Sequence, residues 1–295
     1  MIAGVYSEGM AQDIQRYDDL CDLIGFAPGI VHWYQPWGES GYSQTAVDNA
    51  ALNNVSRRGA APMITWEAWG AIGGDDPCVL RDIAAGRLDA HIDEWAQCLR
   101  DFGKPVFLRL FHEMNNPRYT WAVGQNGNTA GECIAAWRYI YDRFANAGAA
   151  NVLWVWSPNA ENDSIAFKDI YPGDDYVDWL GVDGYNGGSD LDWGGWRSPL
   201  ECFRRSLDAF ASISSTKPVM ISETSSVENG GDKAEWIRNL FELPRDYQSI
   251  KAIVWFHEDF SNKGEADWRI DTSEAALAAF RETAQDGGTR WVTPW

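Results

Sequence analysis

The sequence has few basic residues and no closely spaced pair of cysteines. Lys and Arg number 24 against 43 Asp and Glu, which gives a formal net charge of −19 at pH 7. Nucleic-acid binding needs clusters of Lys and Arg that neutralise phosphates, so this balance argues against a nucleic-acid partner and equally against an anionic membrane. The five cysteines are scattered and odd in number, which excludes a complete disulfide framework.

Long apolar runs, leader-like segments and metal-binding motifs are also missing. No run approaches the roughly 18 apolar residues of a membrane-spanning helix. Residues 1–6 lack the basic and apolar regions of a signal peptide, so we expect either an intracellular protein or a mature domain cut from a longer secreted precursor. Only four histidines occur, and His112-Glu113 is followed by Asn116 where an H-E-x-x-H zinc motif needs histidine. We therefore expect no metal ion and no cofactor.

The chain does contain a regular alternation of short apolar runs and amphipathic stretches. Ile92, Trp95, Ala96 and Leu99, at i, i+3, i+4 and i+7, illustrate the helical stretches. Eight strand–helix units in 295 residues predict a single-domain (β/α)₈ TIM barrel over residues 1–295. A doubly wound sheet is the alternative, but no G-x-G-x-x-G follows the first strand. The eight runs are rich in β-branched and aromatic residues and predict buried parallel strands: 2–6, 29–34, 62–67, 105–111, 152–156, 179–183, 218–223 and 250–256.

Two glutamates, Glu113 and Glu223, close the fourth and seventh predicted strands. In this fold the chemistry lies at the carboxyl ends of the strands, where a buried carboxylate is costly unless it is paired or used. The fourth and seventh strands lie across the barrel mouth from each other. The two carboxylates can therefore face one another across a small ligand, as in a retaining glycosidase. The alternative is that each is a structural carboxylate bound to Arg109 or to backbone amides.

Tryptophan is unusually abundant, with 17 residues. Pyranose rings present C–H faces that stack on aromatic planes, so tryptophans at a barrel mouth favour a carbohydrate ligand. Trp66, Trp156 and Trp255 end three predicted strands, and Trp121 lies in a loop after another. His32, near the end of the second strand, is a further candidate for substrate contact. Tryptophans on helix faces are expected to be core residues.

Several segments together resemble glycoside hydrolase family 26, a clan A family whose best-known members are β-1,4-mannanases. Residues 107–115 (FLRLFHEMN) resemble its acid/base motif, and residues 217–223 (KPVMISE) resemble its nucleophile strand. Residues 152–159, 176–185 and 250–256 resemble its fifth, sixth and eighth strands. The matches follow the family's order along nearly the whole chain.

The resemblance implies catalytic roles. Glu113 would be the general acid and then the base, and Glu223 would be the nucleophile that forms a glycosyl-enzyme. Tyr185 and Arg109 would hydrogen-bond Glu223 and keep it ionised.

The resemblance also implies sugar contacts. His112 and Asp183 would contact the sugar at the cleavage point. Trp255 would stack under that sugar, with Trp156 nearby, and Trp121 would stack the sugar on the leaving side.

The loop at residues 116–121 departs from the family pattern because it is longer and contains a proline. Tyr119 is therefore an alternative to Trp121 on the leaving side.

The expected activity is that of a retaining endo-β-glycanase with β-1,4-mannan as substrate. Mixed-linkage β-1,3-1,4-glucan and β-1,3-xylan are the alternatives within the family, and a non-catalytic carbohydrate-binding barrel is the alternative outside enzymes. The partner is expected to be a neutral polysaccharide or oligosaccharide, for which an acidic protein needs no charge attraction. We expect a monomer that acts outside the cell, with an intracellular enzyme for imported oligosaccharides as the alternative.

Overall fold

The computed structural model describes residues 1–38, 45–69, 80–161, 164–193 and 195–286. Within these ranges, parallel strands close into a barrel in sequence order. Each of the eight predicted runs overlaps one strand, which confirms the (β/α)₈ TIM barrel. The strands are β1 (Ile2–Tyr6), β2 (Ile30–Pro36), β3 (Ala61–Glu67), β4 (Val106–Leu110), β5 (Val152–Trp156), β6 (Trp179–Asn186), β7 (Val219–Ser226) and β8 (Ile250–Phe256).

Helices alternate with the strands and form the outer layer of the barrel. Two of them begin with reciprocal capping boxes, Thr129 with Glu132 and Ser198 with Glu201, which satisfy free backbone N–H groups. The described ranges contain α1 (Ile14–Ile24), α2 (Asn49–Arg57), α3 (Leu80–Ala84), α4 (Asp89–Phe102), α5 (Ala130–Ala147), α6 (Phe167–Ile170), α7 (Pro199–Ile213), α8 (Lys233–Asp246) and α9 (Glu274–Asp286), with short 3₁₀ turns at Asp174–Tyr176 and Ser261–Lys263.

Alternation along the strands divides the side chains between the barrel interior and the helical layer. Successive side chains of a strand point to opposite faces, so residues two positions apart share a face. On β3 the inward positions are Met63, Thr65 and Glu67, and Trp66 faces the helices. An apolar cluster fills the interior below the mouth: Ile30, Ala61, Met63, Phe107, Val155, Met220, Ala252 and Val254.

The described cysteines, Cys21, Cys98, Cys133 and Cys202, are free thiols. Cys78 lies outside the described residues. In the described ranges, no helix combines the length and the apolar character needed to cross a membrane.

Candidate active site

The structure brings Glu113 and Glu223 together at the mouth of the barrel. Glu223 lies on β7, and Glu113 lies in the turn after β4. One carboxylate oxygen of each, together with one of Asp183, lie within 4.8 Å of one another. The two glutamates are only 5% and 6% exposed. Charges this close and this buried repel strongly, so the hydrogen bonds around each carboxylate decide which of them is ionised.

Three donors surround Glu223. Arg109 Nη2 donates to Oε2 at 2.5 Å, and the Tyr185 hydroxyl donates to Oε1 at 2.8 Å. The Tyr34 hydroxyl also donates to Oε2. Charge-assisted bonds of this kind favour the ionised form of a carboxylate. These three bonds fix the direction of the Glu223 carboxylate at the mouth.

Glu113 is contacted instead by two neutral amides. Asn116 Nδ2 donates to Oε2 at 2.6 Å, and Asn159 Nδ2 donates to Oε1 at 2.8 Å. Burial, followed by the charge of Glu223, raises the pKa of Glu113 to about 7, although the two amides act in the opposite direction. Glu113 can therefore carry a proton near neutral pH.

A left-handed backbone turns Glu113 into the mouth. The φ angle is 50° at Glu113 and 46° at Phe111, a region that L-residues adopt at a cost of about 1–3 kcal/mol each. The Glu113 N–H donates to the Ser157 carbonyl at 2.8 Å, which ties this turn to the end of β5. Strain of this kind is concentrated at functional sites.

Beneath the two glutamates, Arg109 and Asp183 form a buried ion pair. Arg109 Nη1 lies 2.7 Å from both carboxylate oxygens of Asp183, and the hydroxyls of Ser157 and Ser222 donate to Oδ1. Burial alone would lower the pKa of Arg109, but the carboxylates of Asp183 and Glu223 raise it well above its usual value. Asp183 is fully buried. It holds Arg109 and does not reach a sugar in the mouth, which corrects the expected sugar contact.

His32 lies in the same buried network. Its Nε2 is 2.6 Å from Thr65 Oγ1, and Arg109 Nε donates to that oxygen at 2.7 Å. The arrangement that satisfies all three groups has Thr65 donating to an unprotonated Nε2. Burial, followed by the charge of Arg109, lowers the pKa of His32 well below its usual value. His32 therefore supports Arg109 through Thr65, and the expectation of substrate contact is wrong because the ring is fully buried.

His112 lies between two tyrosines. Its ring centroid is 4.5 Å from that of Tyr119 and 5.8 Å from that of Tyr34. Burial, followed by the charge of Arg109, lowers the pKa of His112 well below its usual value, so the ring is neutral. Contact between His112 and a sugar stays a prediction.

Trp66, Trp156 and Trp255 face the helices instead of the mouth. Each is adjacent to an inward-facing residue, so strand alternation turns its ring outward. All three are fully buried. The expectation that they stack on sugars is therefore wrong. Their neighbours belong to the helical layer and are Trp95, Phe167 and Trp236, respectively.

Trp121 is covered by other aromatic rings. Its Nε1 donates to the His112 carbonyl at 2.8 Å. Tyr119 stacks on it with centroids 4.8 Å apart and planes at 20°, and Trp69 meets it edge-on at 4.8 Å. Trp121 is fully buried, whereas Tyr119 and Trp69 are half-buried. The expectation for Trp121 is wrong, and its alternative, Tyr119, presents the outer ring of this loop.

Alternation also brings to the mouth residues that are not among the predicted site residues, although Tyr6, Tyr34, Glu67 and Phe256 are the last residues of their predicted strands. Tyr6 and Phe256 stack with centroids 4.7 Å apart on one side of it. Tyr34 and Asn159 contact the two glutamates, and Glu67 ends β3 on the inward face. The sequence signal for Tyr34 and Glu67 is their spacing of two residues from a buried polar neighbour on the same strand.

The carboxylates of Glu113, Asp183 and Glu223 are close enough to share a cation. Arg109 already forms ion pairs with two of the three, and its charge would repel a second cation. The expected absence of a metal ion stays a prediction.

Known proteins resemble this chain in sequence and in fold. Endoglucanase H of Acetivibrio thermocellus is 40% identical over 91% of this chain, which spans 29% of that protein's length. A mannan endo-1,4-β-mannosidase of Bacillus subtilis is 28% identical over 52% of this chain, which spans 39% of that protein. A GH26 β-mannanase structure from Bacteroides ovatus is 19% identical, with a TM-score of 0.70 over 97% of this chain and 89% of that one.

The family assignment rests on a match to the model of glycosyl hydrolase family 26 over residues 58–213, just over half of the chain. This segment begins before β3 and ends with α7, so it contains Glu113, Arg109 and Asp183, whereas Glu223 lies outside it. The chain belongs to glycosyl hydrolase family 26.

Proposed function

We propose that this chain is a retaining endo-β-glycanase with Glu223 as nucleophile and Glu113 as acid/base. The observation that carries the proposal is the pair of buried carboxylates whose oxygens approach within 4.8 Å. Retaining glycosidases have carboxyl groups about 5–5.5 Å apart, whereas inverting enzymes leave about 6.5–9.5 Å for a water molecule.

The surroundings of the two carboxylates support this division of roles. Arg109, Tyr34 and Tyr185 donate to Glu223, which favours an anion able to attack carbon. Glu113 has its pKa raised to about 7 by burial and by Glu223, which suits a proton donor near neutral pH.

The reaction then has two displacements. Glu223 forms a bond to the anomeric carbon while Glu113 gives its proton to the glycosidic oxygen, and the bond between that carbon and oxygen breaks. Once Glu223 is esterified its charge is gone, so the pKa of Glu113 falls and its carboxylate can take a proton from water. The resulting hydroxide attacks the anomeric carbon, releases Glu223 and restores the original anomeric configuration.

A β-linked glucan is the substrate that the sequence relationships favour. The relative that matches along 91% of this chain is named an endoglucanase, and both share 40% of their residues in that region. Mixed-linkage β-1,3-1,4-glucan, one of the alternatives from the sequence, is therefore the first substrate proposed. Because such a polymer does not enter cells, the proposal includes action outside the cell.

β-1,4-Mannan is the second candidate. A mannosidase relative is 28% identical over 52% of this chain, and the motif around Glu113 resembles that of mannanases. Mannose differs from glucose in the orientation of one hydroxyl, and β-1,4-mannan also lacks the β-1,3 linkages of the mixed-linkage glucan.

A side-by-side reducing-sugar assay on barley β-glucan, galactomannan and β-1,3-xylan tests the substrate. We expect the highest kcat/KM on β-glucan, and a higher value on galactomannan would replace glucan by mannan as the proposed substrate.

Glu113→Ala and Glu223→Ala test the catalytic assignment, and each should lose nearly all activity. Azide should rescue Glu223→Ala with an azide product of inverted anomeric configuration, whereas near wild-type turnover of either variant would contradict the catalytic assignment.

A further inference from the structure

Glu67 is a third glutamate at the mouth that the catalytic assignment does not use. It is the last residue of β3, four positions after the interior residue Met63 and two after Thr65. Alternation therefore directs its side chain inward, into the layer that also holds Glu113 and Glu223. Glu67 is half-buried, so part of the residue is open to solvent.

The contacts of Glu67 differ from those of Glu223. Trp69 Nε1 donates to Glu67 Oε1 at 3.1 Å. Among the described residues, no cation forms an ion pair with Glu67, and Trp69 is the one hydrogen-bond donor to its carboxylate. Burial raises the pKa of Glu67 to about 7, although the Trp69 bond and Arg109 act in the opposite direction.

The Trp69 ring connects Glu67 to the aromatic group beside Glu113. Trp69 lies 5.8 Å from Tyr119 and 4.8 Å from Trp121, measured between ring centroids. Tyr119 in turn contacts His112, the residue before Glu113. Glu67 and Glu113 therefore lie on the same side of the mouth, at the ends of the paired strands β3 and β4.

A purely structural role for Glu67 would not require a side chain that can carry a negative charge. Holding the Trp69 N–H needs one neutral oxygen, which a glutamine supplies equally well. A half-buried carboxylate with one neutral donor is costly, and costs of this kind are typical of sites that complete their hydrogen bonds with a ligand. Sugar hydroxyls are the donors that a neutral glycan brings.

We propose that Glu67 is a substrate-binding residue whose carboxylate accepts hydrogen bonds from neighbouring hydroxyls of a sugar ring held in the mouth. This rests on the proposed glycanase function. Trp69 positions the carboxylate through Oε1, and Oε2 accepts from the sugar. The occupant is a neutral pyranose unit of the β-glycan chain.

Glu67→Gln tests the proposal because it keeps the shape and the oxygen for Trp69 but loses the charge. On the polymer that wild type hydrolyses best, we expect KM to rise at least tenfold with kcat within about threefold. The matched control is Glu94→Gln on the exposed face of α4, which should match wild type. Thermal unfolding of each variant checks that the fold is kept.

Monodeoxy oligosaccharides identify the hydroxyl and separate binding from structure. Wild type should lose kcat/KM on the deoxy substrate that lacks the contacted hydroxyl, whereas Glu67→Gln should lose little more on that substrate. A KM for Glu67→Gln within twofold of wild type, or equal losses on every deoxy substrate in both proteins, overturns the proposal.

Calorimetry keeps this inference distinct from the proposed function. The dissociation constant of a β-glucan tetrasaccharide is measured with Glu113→Gln and with the double variant Glu113→Gln/Glu67→Gln. Weaker binding by the double variant supports the role of Glu67 whatever the hydrolysis assays show. If wild type hydrolyses none of the three polymers, only the glycanase proposal is contradicted. Equal binding by both proteins overturns the role of Glu67.

Discussion

Tyr34 donates its phenolic hydrogen bond to the same oxygen of Glu223 that Arg109 contacts. The tyrosine comes from β2 and the glutamate from β7, so the bond crosses the barrel interior. With Tyr185 on the other oxygen, both oxygens of the proposed nucleophile are fixed in direction.

Tyr34→Phe should lower kcat/KM by about 10–100-fold, because a hydrogen bond to a charged group contributes about 1.5–3 kcal/mol. Loss of the phenol leaves Arg109 as the remaining side-chain donor to Oε2 of Glu223, so steady-state kinetics measures what the second donor contributes. Tyr171→Phe, which removes a surface hydroxyl bonded to Asp174, is the control. A kcat/KM for Tyr34→Phe within twofold of wild type would contradict this role.

Asn159→Ala should move the alkaline limb of the kcat/KM profile to higher pH. The Asn159 amide stabilises the ionised form of Glu113, whose pKa burial and Glu223 raise to about 7. Activity that requires protonated Glu113 falls as pH rises through this value, and removing the amide raises the pKa further. Asn146→Ala, at an exposed position of α5, should leave the limb in place. A shift of the alkaline limb to lower pH in Asn159→Ala would contradict the conclusion that this amide stabilises ionised Glu113.

Glu113→Gln should stabilise the protein at alkaline pH. The folded-state pKa is about 7 against an ordinary value of 4.5, so the stability contributed by protonated Glu113 is present below pH 4.5 and lost as pH rises through 7. The difference corresponds to roughly 3 kcal/mol. Urea unfolding at pH 4 and pH 8 should show a gain for Glu113→Gln only at pH 8. An equal gain at both values would argue against a raised pKa.

Trp156→Phe should lower stability without changing catalysis. The ring is fully buried beneath the helices, and a smaller ring leaves a cavity that costs about 1–3 kcal/mol. Trp69→Ala should instead change catalysis. It should raise KM, because it removes the N–H that orients Glu67. Thermal unfolding and steady-state kinetics on the two variants check both. A raised KM for Trp156→Phe would return that ring to the substrate site.

The barrel could be predicted because each strand is a short apolar run, and the observed strands differ from the runs by a few residues at the ends. Glu113 and Glu223 could be predicted because each follows or ends an apolar strand, where a carboxylate is costly unless it is paired or used, and because the segments around both resemble family motifs. The tryptophans that face the helices could also have been distinguished, from the sequence, from residues that face the mouth. Trp66 and Glu67 are neighbours, so only one of them faces the mouth, and the polar spacing of Thr65 and Glu67 indicates which.

The rest depends on departures from regular strands. Ser222 and Glu223 are neighbours, yet both contact interior residues, because the register shifts in β7 between Ile221 and Thr224. The left-handed backbone at Phe111 and Glu113 breaks the alternation after β4 in the same way. No pattern of residue types specifies these local changes.

Arg109 contacts groups on β3, β6 and β7 from its own position on β4. One guanidinium therefore connects β3, β4 and β6 to the proposed nucleophile on β7. Heating that moves β4 away from β7 would remove the counter-charge of Glu223 at the same moment. We expect thermal inactivation and loss of the barrel to be a single event, with no range of temperature in which a loosened barrel still turns over substrate.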